Sequence, residues 1–502
     1  MPPKEAYDWL RAHHVETSLL ESMASLLHWD QSTMMPAGGH RHRSDQFAAL
    51  AKLVHERRSN PQVGEALAAC GGHWDEREPT GVQAANVREW KRAFDRVTKI
   101  PTDLAVALAR AASDGETAWK RTRPENDWEG FRPYLDELIR LRREEAEAVG
   151  YAGEPYDALL DEYEAGETTA ALEPMFQDLR SEITDLLGRI KGSARRPDPS
   201  ILDNDYPIAA QKAFCRQVAE TLGYDFSAGR IDATAHPFST RIGPGDVRIT
   251  TRYNERNLSE ALFGVIHEAG HAMYSQGLST EHFGTPSGAS VSLGVHESQS
   301  RLWENLVGHS AGFWRHFLPL AREFFPCLRG VGEIDFLFAV NEVNPSLIRV
   351  EADEVTYNLH VMLRFELELA LLRGQLNTAD LPGAWNEKMH EFLGISPPDF
   401  ALGVMQDVHW SAGLIGYFPT YSLGNLYAAQ LFEAASSELG ETDALFEQGD
   451  FSPLLDWLRV NIHAWGSRLP PRELVRQATG REPDSGALVR GLNKKYGELY
   501  GV

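Results

Sequence analysis

Residues 267–271 carry the most chemical content in the chain and read His-Glu-Ala-Gly-His. A helix turns once in 3.6 residues, so His267 and His271 fall one turn apart on one face, where both imidazoles can address a single ion. Glu268 stands beside that face, in reach of a water on the ion. This HExxH spacing suits a metal that lowers the pKa of its water and a glutamate that takes the proton, the chemistry of metal-dependent peptide hydrolysis. The flanking residues form an amphipathic helix in which Leu262, Ile266 and Met273 supply the core side. Gly270 is read as leaving room beside the ion, at a modest cost in helix propensity.

A catalytic zinc takes three protein ligands and keeps one position open. The longer form HExxHxxGxxH is absent, because residues 274–277 do not continue it. The third ligand must then come from a following helix. The run GVHESQSRLWENLVG offers Glu297, 26 residues beyond His271, and also Glu304, with His296 as a competing ligand. Spacing favours Glu297.

These side chains need a helical frame. Apolar residues recur at steps of three and four over 4–28, 46–55, 129–149, 170–191, 207–222 and 258–278, and again over 297–308, 334–343, 355–374, 423–438 and 452–463. Gly/Pro turn signals fall at 36–39, 192–199 and 394–400. Residues 231–253 differ: DVRITTRY alternates, is rich in β-branched residues, and follows a GPG turn with HPFST on its other side. That pattern predicts a hairpin or short sheet directly before the metal-motif helix.

The 502-residue chain has ordinary globular composition, 42% hydrophobic and 24% charged, so a large core is expected. With 49 basic and 72 acidic side chains its formal charge is −23, which argues against nucleic-acid binding. Three scattered cysteines, Cys70, Cys215 and Cys327, exclude a disulfide framework and a thiolate metal site and fit a reducing cytoplasm. The N-terminus lacks a secretory pattern, and the longest apolar runs, such as 336–340, are too short to span a bilayer.

Six motifs occur together in one order: HPF at His236, Pro237 and Phe238, DxRxT at 246–250, HExxH at 267–271, HESQ at 296–299, IRxxADE at 348–354 and GxxQDxHW at 403–410. LHWDQSTMMPAGGHRHRSDQFAALAKLVHE near the start, and GYFPTYSLGNLYAAQ and KKYGELYG near the end, extend the match over nearly the whole chain. In these segments the chain resembles the thermostable carboxypeptidases of the Taq type, peptidase family M32, whose zincin relatives include angiotensin-converting enzyme and neurolysin-type oligopeptidases. HRHRS at 40–44 is more basic than expected in that block.

The resemblance implies a mainly α helical zincin fold, with a long substrate groove between two lobes and one small β-sheet next to the HExxH helix. It implies one peptidase domain over 1–502, with an N-terminal helical half to about 230 and a metal-site half from about 231. It also implies Glu297 as third ligand to zinc, cobalt as an effective substitute, a homodimer, and release of single residues from peptide C-termini with broad specificity.

An exopeptidase of this kind must bind a terminal carboxylate, and the planar fork of an arginine suits it. Arg349 is the candidate, the alternative being an internal pair with Glu351 or Asp353. By resemblance to related zincins, His409 and Tyr421 are candidates to stabilise the oxyanion, with Tyr417 beside the substrate. Asp353 and Glu354 are candidates to receive the other N–H of the metal-binding histidines, and DVRITTRY could pair with substrate as an added strand. The competing readings are an endo-acting zinc oligopeptidase and an inactive helical binding scaffold.

Overall fold

The computed structural model describes residues 1–74 and 80–502. They form two compact units, each assembled from three stretches of chain. One takes Met1–Val97, Pro197–Val340 and Ala428–Glu482, the other Thr98–Arg196, Asn341–Tyr427 and Pro483–Val502. Both are mostly helical, and the chain's three short strands form one sheet among the described residues. Five helices matter for the site: α1 (Pro155–Leu160), α2 (Leu258–Gly277), α3 (Leu293–Arg301), α4 (Tyr357–Leu372) and α5 (Pro419–Leu439). The helix expected over 297–308 is α3 followed by a π-helical stretch, Leu302–Gly308.

Helix α2 starts at Asn257, whose side chain accepts a bond from the Glu260 N–H at 3.2 Å and so satisfies a free donor of the first turn. It then buries Ala261, Leu262, Val265, Ile266, Ala269, Ala272 and Met273. A helix enclosed to this degree cannot roll, which fixes the direction of His267 and His271.

The sheet lies against this helix. Strands β1 (Ile231–Ala233), β2 (Ser239–Gly243) and β3 (Asp246–Thr251) take the order β1-β3-β2, with β1 parallel and β2 antiparallel to β3. The β2–β3 hairpin turns at Gly245, whose φ of +76° favours glycine. The Thr251 hydroxyl donates to the Ala261 carbonyl at 3.3 Å, joining sheet to α2. One expectation fails here. Residues 246–251 form the central strand, with both ladder edges taken, so they cannot receive a substrate strand; β1 and β2 are the outer strands.

Candidate metal centre and active site

His267 and His271 present their rings with centroids 4.8 Å apart. The third donor arrives because α3 crosses α2 at Gly270. A Cβ there would lie 2.7 Å from the Gln299 carbonyl oxygen and 2.8 Å from the Ser300 Cα. The glycine therefore makes room for the backbone of α3, and the expectation that it leaves room beside an ion is corrected. The close crossing brings Glu297 Oε2 to 3.8 Å from His267 Nε2 and 3.5 Å from His271 Nε2. Tetrahedral zinc with ligand bonds near 2.0–2.1 Å would hold its donors about 3.3 Å apart, so the trio is slightly expanded but suited to such an ion. Among the described residues, these three form the cluster able to hold one, with donor atoms all within 4.8 Å of one another.

The far edges of both rings are already committed. His267 Nδ1 lies 2.8 Å from Glu304 Oε2, and His271 Nδ1 lies 3.0 Å from the His296 carbonyl oxygen. Donation from Nδ1 assigns the tautomer whose Nε2 lone pair faces the trio. His296 stands outside the trio, with its Nδ1 2.6 Å from His271 Nδ1 on the ring edge away from Nε2. Burial pushes the His296 ring down to about 3, so it is neutral.

Glu304 was not assigned this orienting role from sequence. Asp353 and Glu354 were, and the structure corrects that. Asp353 accepts from the Asn344, Val355 and Thr356 N–H groups and from the Thr356 hydroxyl. Glu354 accepts from Lys495 and Tyr496. Arg301, also missed, ties the acids together by donating to Glu297 Oε1 at 2.8 Å and to Glu304 Oε2 at 3.2 Å. The signal was present: 297, 301 and 304 follow i, i+4, i+7 spacing on one helix face.

The electrostatics favour a cation. Burial opposes ionisation of Glu297, but Arg301, His267 and His271 outweigh it and hold the carboxyl well below the usual range. Glu304 is brought down to about 2, against its burial, by Arg301 and His267. Burial would lower His267, yet Glu297, Glu304 and Glu268 together raise it to about 9, so near neutral pH the metal-free ring carries a second proton on Nε2 that metal binding must displace. Glu268, 7% exposed, is itself raised by burial, with the two histidines pulling the other way. A divalent ion would satisfy this excess of carboxylates.

The second group of candidates lies in the other unit. Arg349, 4% exposed, donates through Nε and Nη2 to Asp407 Oδ1 at 3.1 and 2.8 Å, and through Nη1 to the Tyr357 hydroxyl at 3.0 Å. Its partner is therefore Asp407 of the later motif, neither Glu351 nor Asp353. Arg364 donates to Asp407 Oδ2 at 2.6 Å, so one carboxylate holds two guanidinium groups. Burial opposes its charge, but the two arginines keep Asp407 well below the usual carboxylate range. His409 Nε2 lies 3.2 Å from the Tyr421 hydroxyl, and the Tyr417 ring packs 5.2 Å from the His409 ring and 5.4 Å from Tyr421. Burial, aided by Arg349 and Arg364, lowers His409 to about 4 despite the attraction of Asp407, so near neutral pH the ring carries one N–H.

Known proteins resemble the chain over its whole length. The model of the carboxypeptidase Taq (M32) metallopeptidase family matches residues 10–496. The chain is 53% identical over 510 residues to thermostable carboxypeptidase 1 of Thermus thermophilus, covering 100% of both chains. It is 37% identical over 500 residues to carboxypeptidase 1 of Bacillus subtilis, covering 99% of this chain and 98% of the other. The crystal structure of the M32 carboxypeptidase from Deinococcus radiodurans R1 superposes with a TM-score of 0.96 at 40% identity, covering 99% of this chain and 100% of that one. With the HExxH helix and its glutamate partner in place, similarity over the full length means that the chain belongs to the carboxypeptidase Taq (M32) family and is a metallocarboxypeptidase.

Proposed function

We propose that the metal is zinc, held by His267, His271 and Glu297, and that Glu268 is the general base. The convergence of two imidazole nitrogens and one carboxylate oxygen, with the ring backs fixed by Glu304 and the His296 carbonyl, carries this reading. Two nitrogens and an oxygen are a donor set suited to catalytic zinc, and cobalt fits the same set. Zinc bound there supplies Lewis acidity, which polarises the scissile carbonyl and acidifies water. Glu268 takes the proton of the attacking water and passes it to the leaving amine.

Arg349 binds the terminal carboxylate of the peptide. Three of the five guanidinium N–H groups are used by Asp407 and Tyr357, which leaves two for substrate. His409 and Tyr421 donate to the developing oxyanion, and Tyr417 lies beside the substrate. A single residue leaves per cycle, with broad side-chain tolerance. The enzyme acts as a homodimer in the cytoplasm. In support of that compartment, its three cysteines are free of disulfides.

Mass analysis of products from an unblocked peptide tests the reading. Stepwise loss of C-terminal residues is expected, abolished by a chelator, restored by zinc or cobalt, and absent in Glu268→Gln. A C-terminally amidated peptide should be cut poorly by wild type. Internal fragments from it would show an endo-acting enzyme, and full activity of Glu268→Gln would remove the base assignment.

A further inference from the structure

We propose that Glu368 is a positioning residue for this reaction: its buried carboxylate ties down both ends of the loop 410–416 and so sets where His409 and Tyr417 stand. The proposal rests on the reading of His409 as an oxyanion donor. Glu368 is on α4 and is wholly buried. Its Oε1 accepts from the Trp410 indole N–H at 2.8 Å. Its Oε2 accepts from the Gly416 backbone N–H at 3.1 Å and from the Tyr156 hydroxyl of α1 at 2.7 Å. Trp410 directly follows His409, and Gly416 directly precedes Tyr417, so the carboxylate holds the residue next to each candidate side chain.

The surroundings make this tether hard to replace. Gly416 has a φ of +88°, and a Cβ there would stand 2.9 Å from the Leu160 backbone nitrogen, so the loop presses against the end of α1. Trp410 packs edge-on against Trp385 with centroids 5.7 Å apart. Within the loop, the Leu414 N–H donates to the His409 carbonyl at 2.8 Å, which closes it into a compact turn. The loop thus behaves as a rigid strap whose two anchors meet on one side chain.

Trp410 and Gly416 offer only donors, so both tethers are strongest to the ionised form. Burial lifts the Glu368 carboxyl to about 7, while Tyr156, Trp410, the Gly416 N–H and Arg364 pull it down. Tyr163, facing it from beyond α1, is neutral, raised well above the usual phenol range chiefly by burial. A proton on Oε1 points a donor at the indole N–H, and one on Oε2, which the Tyr156 oxygen can accept, leaves a weaker acceptor for the Gly416 N–H; the amide of a glutamine meets a donor either way, since with its oxygen toward Gly416 and Tyr156 its NH2 faces the indole N–H.

Glu368→Gln is the test, with His409→Ala, Trp410→Phe and Tyr156→Phe beside it, each measured for metal content, unfolding midpoint, kcat and KM. Glu368→Gln should bind metal fully and lose about tenfold or more in kcat with little change in KM, since small misplacements of catalytic groups are costly. Trp410→Phe should lose kcat alike, and the double variant should fall no further than the worse single one. Tyr156→Phe, which keeps both loop tethers but removes a bond that lowers the Glu368 carboxyl, should lose less kcat than Trp410→Phe, and least of all at alkaline pH. A folded, metal-loaded Glu368→Gln with wild-type kcat, where His409→Ala is severely impaired, overturns the proposal. If Glu368→Gln does not fold, unchanged kcat in Trp410→Phe overturns it. If His409→Ala keeps its kcat while the two tether variants lose theirs together, the His409 reading falls and the strap acts through Tyr417.

Discussion

At the scale of single residues, the metal motif was legible because one helix holds most of it. Spacing alone put His267 and His271 on a common face, and 7% exposure of Glu268 beside them follows from the same turn. Which carboxylate stands behind a histidine was not legible, because that depends on the crossing of two helices. Asp353 and Glu354 were attractive as a motif pair, yet both are consumed by local bonds, whereas Glu304 reaches His267 from the π-helical stretch after α3. Irregular turns of this type recur at functional sites. Glu304→Gln should keep the fold and weaken metal affinity by about 10–100-fold, the usual effect of losing a ligand's outer partner. A competition titration against a chelator measures it. Wild-type affinity in the variant would reduce Glu304 to a structural charge.

At the scale of elements, several helices named from the sequence are matched to within a residue at each end. Residues 207–222 became Ile208–Leu222, and 129–149 became Trp128–Val149. Helix Thr102–Thr122 went unnamed although its apolar and polar residues segregate about as well as those of Trp128–Val149, and the still more amphipathic Val82–Lys99, Ala311–Phe324 and Pro471–Thr479 went unnamed too. Alternation in 246–251 identified a strand but could not name its neighbours, so its central place was invisible. The role of Gly270 was misread for a related reason, since the contact it permits is with a helix distant in sequence. Alanine at 270 would by propensity favour α2 by about 1 kcal/mol. Against that, its Cβ meets backbone at 2.7 Å, which flexible side chains cannot relieve; overpacking of this kind costs about 1–3 kcal/mol. Gly270→Ala should therefore lower the unfolding midpoint and bind less metal, as α3 and Glu297 are pushed outward. A variant more stable than wild type with full metal occupancy would show that α3 has slack at the crossing.

At the scale of the whole molecule, each unit is assembled from three separated stretches, so no linker composition marks a border between them. Both units bury neutral histidines, which makes acid sensitivity a property of the entire chain. His14 and His463 in one unit, and His360 in the other, are lowered to about 3 chiefly by burial, and His409 to about 4. Each has a folded pKa below its unfolded value near 6.5, so its contribution is complete above pH 6.5 and is lost as pH falls toward the folded value. Glu368, raised to about 7, acts in the opposite direction, because the folded state takes up its proton first. Outside the metal site, these four histidines stand against the raised carboxyls of Glu368, Glu342 and Asp353, and the net is an uptake of protons on unfolding between pH 6.5 and 4.5, where histidines of the unfolded chain gain their charge. The expected slope is on the order of a few kcal/mol per pH unit. Below that window Glu304, held at about 2, and Asp407 add their own losses in the same sense. Denaturant midpoints should therefore fall steeply from pH 6.5 to 4.5. Replacing His14, His360 and His463 singly by apolar residues of similar volume should flatten the slope by roughly one proton each. Midpoints that stay level across this window would mean that water or rearrangement already relieves the buried rings, and the acid limit would then belong to the carboxylates alone.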